Sequence, residues 1–233
     1  RLEDAVGVLE KAVLQHAEDS LLRFNLAALQ LEVGRPEMAI GHLEAVIQAE
    51  PDDAASLHGL GLAHLGAGNP AQALPHLEKA VGLAPREAAY LYDLGNAWLD
   101  LGQHESARQV FLQVLAVAPD HEDALSNLGR ALLQAGRLDE ARQCVDQAMQ
   151  AGARWLDYMN LGHLEFACWQ LEESMAAFQR AAGLAPDQWE PVSSLGVIAH
   201  EQGDFQKALS NYDQALRLTP GNPEVLWNRA LTL

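Results

Sequence analysis

The sequence predicts an all-α fold: an α-solenoid of antiparallel helix pairs with a 34-residue period. Three observations predict it. Prolines measure the period, since Pro51, Pro85 and Pro119 stand 34 apart, as do Pro186 and Pro220, while Pro119 and Pro186 lie one residue short of two periods apart. A Leu-Gly pair keeps the same step at Leu60-Gly61, Leu94-Gly95 and Leu128-Gly129, and recurs at Leu161-Gly162 and Leu195-Gly196. Between these marks apolar residues return every three or four positions, stop at a glycine, and resume until the next proline, so the period is helical throughout. A repeat of this size cannot bury its apolar face alone and must stack on neighbours.

In chain order, residues 1–17 read as the second helix of a partial repeat. Six full repeats follow at 20–53, 54–87, 88–121, 122–154, 155–188 and 189–222, and residues 223–233 read as the first helix of another partial repeat. Gly34, Gly68, Gly102, Gly136 and Gly203 stand where a first helix must end in a left-handed residue. Pro36 and Pro70 then fall in the first turn of the second helix, where proline loses no hydrogen bond. Gly61, Gly95, Gly129, Gly162 and Gly196 let the paired helices approach closely, and Ala73, Ala107, Ala141 and Ala208 do the same from the second helix.

Three places depart from the pattern. Pro75 lies inside an expected helix, where it removes a bond at a cost of about 3 kcal/mol unless the helix bends. In the fifth repeat Trp169, next to Cys168, replaces the turn glycine, and the one-residue deletion lies upstream near Ala151–Arg154, so an irregular turn or packing is expected there. At the C-terminal end Val225, Leu226, Leu231 and Leu233 are expected to lack a covering helix. With the opening at Arg1 rather than Met, this reads as a fragment of a longer polypeptide.

The chain is 233 residues long and 49% hydrophobic, enough for a substantial core. Fifteen basic against 32 acidic residues give a formal charge of −17. That charge repels phosphate backbones and anionic lipid, which argues against nucleic acid and membrane surfaces as partners. No apolar run approaches the roughly 20 residues needed to cross a bilayer. Two cysteines, Cys144 and Cys168, form no Cys-x-x-Cys pair and imply no disulfide framework. A cytoplasmic location is expected, with periplasmic or secreted locations left open.

The nine histidines show no metal-ligand spacing and read as solvated surface residues, with His16, His42, His76, His104 and His121 scattered over different repeats. LGAGNP at 65–70 serves as a helix-to-helix turn rather than a phosphate loop. No nucleophile has a local activating pattern. No catalytic constellation, metal site or cofactor is expected in these residues.

These marks resemble the tetratricopeptide repeat family. Its bulky residue, Leu-Gly, aromatic, Ala, aromatic and Pro appear as Leu91, Leu94-Gly95, Trp98, Ala107, Phe111 and Pro119. They recur as Leu57, Leu60-Gly61, Ala73, Leu77, Ala80 and Pro85, and as Val192, Leu195-Gly196, Ala208, Tyr212, Ala215 and Pro220. The resemblance implies that the α-solenoid winds as a right-handed superhelix, with a groove lined by the second, fifth, sixth, ninth and twelfth places of each repeat.

At the sixth place stand Asn25, Gly59, Asp93, Asn127, Asn160, Ser194 and Asn228. An asparagine amide offers both a donor and an acceptor, which matches the N–H and C=O of an extended peptide. The series resembles the asparagine ladder in the repeat arm of O-linked N-acetylglucosamine transferases, interrupted at Gly59 and altered at Asp93 and Ser194. The alternative is that these side chains bond neighbouring helix ends or solvent. Around them the expected groove carries Phe24, His58, Tyr92, Ser126, Met159, Ser193 and Trp227 at the fifth place, and Leu62, Asn96, Arg130, His163 and Val197 at the ninth. A clamp for a terminal carboxylate needs several basic groups, and this groove offers mainly Arg130.

Three functions follow as expectations. The first is a non-enzymatic scaffold that binds an extended or helical peptide segment of a protein partner, apolar or basic in character, with micromolar affinity, about −8 kcal/mol. The second is the substrate-recruiting arm of a larger enzyme such as a glycosyltransferase. The third is a structural scaffold that self-assembles into homo-oligomers through its apolar ends.

Overall fold

A computed structural model describes residues 1–233 as fourteen helices and no strand. They are α1 (Leu2–Gln15), α2 (Ser20–Glu32), α3 (Pro36–Ala49), α4 (Ala54–Gly66), α5 (Pro70–Leu83), α6 (Ala88–Asp100) and α7 (His104–Val117). There follow α8 (Glu122–Gln134), α9 (Leu138–Gly152), α10 (Trp155–Ala167), α11 (Leu171–Leu184), α12 (Glu190–Glu201), α13 (Phe205–Leu218) and α14 (Pro223–Thr232). The fold is an all-α solenoid of helix pairs. Contacts divide it into two compact units, Arg1–Ala124 and Leu125–Leu233.

In the N-terminal unit consecutive helices from α1 to α7 pack one on the next. Val6, Val13 and Leu26 form one core cluster; Ala27, Ala39, Leu43, Leu60 and Ala63 form another, with Phe24 and Ile47 against it. In the C-terminal unit the order α9 to α14 repeats the scheme. Met159, Phe178, Ala181 and Ile198 make one core there, and Val192, Ala208, Tyr212, Ala215 and Val225 the next. Fully burying one such large side chain contributes about 1.5–3 kcal/mol.

The local signals act as the physics requires. Asp19 and Asp53 cap α2 and α4 by accepting the N–H groups of Leu22 and Ser56, both at 3.0 Å. Pro36 and Pro70 open α3 and α5. The first helices of pairs end in a left-handed residue, with φ of 69–77° at Gly34, Gly68, Gly102, Gly136 and Gly203. After α2 the Gly34 N–H donates to the Leu31 carbonyl and the Arg35 N–H to that of Gln30, so the last carbonyls are satisfied.

The close-approach glycines differ in how much they are needed. A Cβ on Gly61, Gly95, Gly162 or Gly196 would fall 2.5–2.6 Å from Leu77, Phe111, Phe178 or Tyr212. Gly129 is the exception, for its added Cβ would meet Cys144 only at 3.6 Å. The smaller Val145 stands there in place of an aromatic ring.

Three expectations are corrected. The turn at Trp169 is regular: its φ is 60°, and Trp169 N–H to the Phe166 carbonyl (2.9 Å) and Gln170 N–H to that of Glu165 (2.8 Å) repeat the glycine turns. The surrounding bonds impose the conformation, and the indole projects into solvent. The missing residue is absorbed upstream, where the sequence reading expects it, at Gly152, whose φ is 126°. There α9 continues to Gly152 and leaves only Ala153 and Arg154 before α10. Val225 is 0% exposed because α14 packs on α13, whereas Leu226, Leu231 and Leu233 are exposed. Pro75 lies inside α5, as expected, on the exposed surface.

The third correction concerns the histidines, several of which are packed rather than solvated. His58 stacks on Tyr90, His64 on His76 and His121 on Tyr92, with centroids 4.3, 5.7 and 4.9 Å apart. Only His64 and His76 face each other across one helix pair; His58 of α4 reaches Tyr90 of α6, and His121, just before α8, reaches Tyr92 of α6.

Candidate functional site

In the C-terminal unit the first helices of successive pairs enclose a cavity of about 320 Å³. The fourth repeat contributes Arg130 from its ninth place. Helix α10 contributes Trp155, Leu156, Met159, Asn160, His163 and Phe166; Trp189 stands just before α12, which contributes Glu190, Ser193, Ser194 and Val197; and α14 contributes Glu224. Most of them fall in adjacent pairs, 155/156 and 159/160, 189/190 and 193/194, with successive pairs one helical turn apart, so that the set shares one face.

The walls are mainly apolar and aromatic, with a few polar groups. Arg130 Nε and Glu190 Oε2 are buried and have no hydrogen-bond partner. The outer edge of His163 is open, yet its ring packs edge-on against Phe178, centroids 5.1 Å apart, and burial lowers its pKa below 6.5.

Beneath this face lies a buried polar network where the shortened α9–α10 connection brings helices together. Asn160 Nδ2 donates to the Ser126 carbonyl at 2.8 Å, and Ser126 Oγ donates to Asp157 Oδ1. Asp157 Oδ2 accepts the Arg154 N–H at 2.9 Å, and Arg154 Nη2 donates to Ser126 Oγ at 3.0 Å. Nearby, Arg142 holds both oxygens of Glu165, at 2.5 and 3.0 Å. Mutual satisfaction is what lets Asp157, Asn160 and Glu165 stay buried in the helix stack.

The structure therefore brings Arg130, Met159, Asn160 and His163 to one cavity. In the N-terminal unit it brings two others together, His58 Nε2 lying 2.7 Å from Asp93 Oδ2, while the Tyr92 ring packs against Phe111 and His121. Asn96 is half-buried one turn further along α6, and Asn127 is buried in α8. Phe24 packs into the core cluster with Ala27 and Leu43, and Asn25 beside it is exposed. On α14, Trp227 is 66% exposed, and the half-buried Asn228 accepts Thr232 Oγ at its carbonyl.

Trp155, Phe166, Trp189 and Glu190 are cavity residues that the sequence reading does not single out. Phe166 and Glu190 occupy the twelfth and second places of their repeats, so register alone points to them. The two tryptophans stand at the first place, which carries no groove signal.

Comparison with known proteins agrees with the fold. Models of the tetratricopeptide repeat match residues 20–45, 58–115 and 99–154, and a TPR repeat model matches 196–233. No curated protein matches the chain. Among solved structures, a tetratricopeptide repeat protein from Parabacteroides merdae ATCC 43184 is similar with a TM-score of 0.86 at 17% identity, over 99% of this chain and 92% of that one. The Cut9–Hcn1 hetero-tetramer of the APC/C gives 0.76 at 16% identity, over 100% of this chain and 46% of that one. YrrB, a TPR protein with an unusual peptide-binding site, gives 0.51 at 20%, over 97% and 98%.

Proposed function

This chain belongs to the tetratricopeptide repeat family, and from that premise we propose that it is a protein-interaction module whose first-helix face in the C-terminal unit holds a peptide segment of a partner protein. The observation that carries the reading is the 320 Å³ cavity, which is lined by groove places of successive repeats and walled by Trp155, Met159, Phe166 and Trp189. Sites of this size, mostly apolar with few polar groups, are the usual form of a recognition pocket. The neighbours add weight at the level of fold: YrrB has a peptide-binding site, and Cut9 assembles with Hcn1.

The formal charge of −17 favours a partner segment that is apolar or basic. Asn160 spends its Nδ2 on Ser126 and so offers a ligand its carbonyl oxygen, an acceptor for a peptide N–H. Asn25, Asp93, Asn127 and Asn228 are the other rungs of this reading, with His58, Tyr92, Asn96 and Trp227 beside them.

The test fills the cavity without removing core. Ser194→Arg places a long side chain in it, and Leu184→Ser changes an exposed apolar residue elsewhere. Partners captured from source-cell lysate by the immobilised chain should survive Leu184→Ser and be lost with Ser194→Arg, with helical circular dichroism unchanged in both. Capture that persists in Ser194→Arg would show that the working surface lies elsewhere.

A further inference from the structure

We propose that the edge of the C-terminal unit where first helices turn into second helices is a docking surface separate from the groove, on which the exposed indole of Trp169 takes an arginine of a basic segment of a partner protein. The proposal does not rest on the groove reading above.

Trp169 occupies the left-handed position between α10 and α11 that glycine holds in other turns, with φ at 60° and the residue 65% exposed. A residue with a Cβ holds that conformation at a cost. The fold returns little of it. The indole meets the Phe166 ring at a tilt, centroids 6.3 Å apart, and the hydrogen bonds of the turn are main-chain bonds that any residue could make. Strain of this kind collects at functional sites. Tryptophan is also among the side chains in which the binding energy of protein interfaces concentrates.

A second exposed ring stands on the next turn. Phe205, 51% exposed, opens α13 two residues after Gly203, the counterpart of Trp169 one repeat later. Gln202 Nε2 donates to Glu172 Oε1 at 3.3 Å, so the later turn lies against the start of α11 and both rings belong to one edge. Neither ring lines the groove cavity.

Charge selects the occupant. Glu172 and Glu173 lie in the first turn of α11, and Glu201 and Asp204 flank the next turn, all four exposed. Lys207 is the exposed cation beside them, while Arg142 is spent on both oxygens of Glu165. Acidic residues in a first turn also suit the helix dipole, so it is their pairing with the exposed rings that points to a ligand. A second copy of this chain, itself at −17, would bring like charge to the edge. An uncharged apolar segment would gain nothing from the carboxylates. A guanidinium uses both features, since its plane stacks on an indole face and its N–H fork suits a carboxylate.

The experiment pans a phage library of random dodecapeptides against the whole chain. It keeps, as synthetic peptides with blocked ends, those whose binding is unchanged by Ser194→Arg, which fills the groove. The retained peptides should share an arginine at a fixed place. Replacing that arginine by citrulline, which removes the charge and keeps the shape, should weaken binding at least tenfold. Trp169→Gly should do the same while leaving helical circular dichroism unchanged, and Trp169→Phe, which keeps a ring, should lose less. Glu172→Gln combined with Glu173→Gln should weaken binding three- to tenfold. Citrulline alters the ligand alone, so its effect cannot reflect misfolding. Retained peptides that lack a basic residue, or that bind Trp169→Gly as well as wild type, overturn the proposal, and so does a selection that retains none. A dimer seen by light scattering and abolished by Trp169→Gly would also overturn it, because the edge would then belong to a second copy.

Discussion

Asn160 donates its side-chain amide to the main-chain carbonyl of Ser126, 34 residues earlier, at 2.8 Å. The bond ties α10 to α8 inside the C-terminal unit, and Asn160 is almost wholly buried. The asparagine is thus a structural tie as well as a rung of the groove.

Asn160→Ala should therefore destabilise the fold by about 1 kcal/mol, the net worth of a buried hydrogen bond. Urea unfolding should show a lower midpoint with an unchanged slope. An unshifted midpoint would mean that the residue serves ligands alone.

Two glycines on corresponding helices should respond oppositely to alanine. At Gly162 the new Cβ would stand 2.5 Å from the Phe178 ring, and overpacking of this kind costs about 1–3 kcal/mol. At Gly129 the nearest atoms lie at 3.6–3.8 Å, ordinary contact, so the helix-propensity gain of about 1 kcal/mol is free to appear. Thermal melts of Gly129→Ala and Gly162→Ala should move in opposite directions; parallel shifts would refute the packing account.

The helices were legible because their determinants are local: apolar spacing, glycine at the left-handed turn, and proline at the first turn of α3 and α5. Gly129 shows the limit, since the closeness of its approach depends on Val145 opposite rather than on the glycine itself. Trp169 shows another, for an unfavourable residue in a turn is overruled when the bonds around it require the left-handed conformation. In the site, the register places of Met159, Asn160 and His163 could be read from the period. The direction of the Asn160 amide could not, because Ser126 of the preceding repeat decides it. Trp155 and Trp189 become cavity walls only once successive pairs are stacked.

Gln30 is 0% exposed, and neither its Nε2 nor its Oε1 has a partner. A buried amide without hydrogen bonds opposes folding, and methionine has nearly its shape without its polarity. Gln30→Met should stabilise the chain by about 1–2 kcal/mol, read as a raised urea midpoint. A lowered midpoint would show that the amide is satisfied in solution.

Trp169 holds φ at 60° with its side chain 65% exposed. For a residue with a Cβ the left-handed conformation costs about 1–2 kcal/mol, and the tilted contact with Phe166, centroids 6.3 Å apart, returns little of it. Trp169→Gly should raise the melting temperature, and Gly136→Ala, the reverse change in the preceding repeat, should lower it. A loss of stability in Trp169→Gly would assign the indole a packing role that outweighs the backbone strain.

Burial holds the rings of His163, His42 and His76 below the ordinary histidine pKa of 6.5, with Arg23 adding to the effect at His42 and His64 at His76. The sign follows from proton counting. As pH falls through 6.5 the unfolded chain takes up protons that the folded chain, with its lowered pKa values, still refuses. The unfolded state therefore gains, and the stability present above pH 6.5 drains away toward the folded-state values. Urea midpoints should be flat from pH 8 to 7 and decline from pH 7 to 5.5, and His163→Gln, which cannot titrate, should reduce that decline. An equal slope in the variant would mean that the His163 ring charges as readily in the folded chain as in the unfolded one.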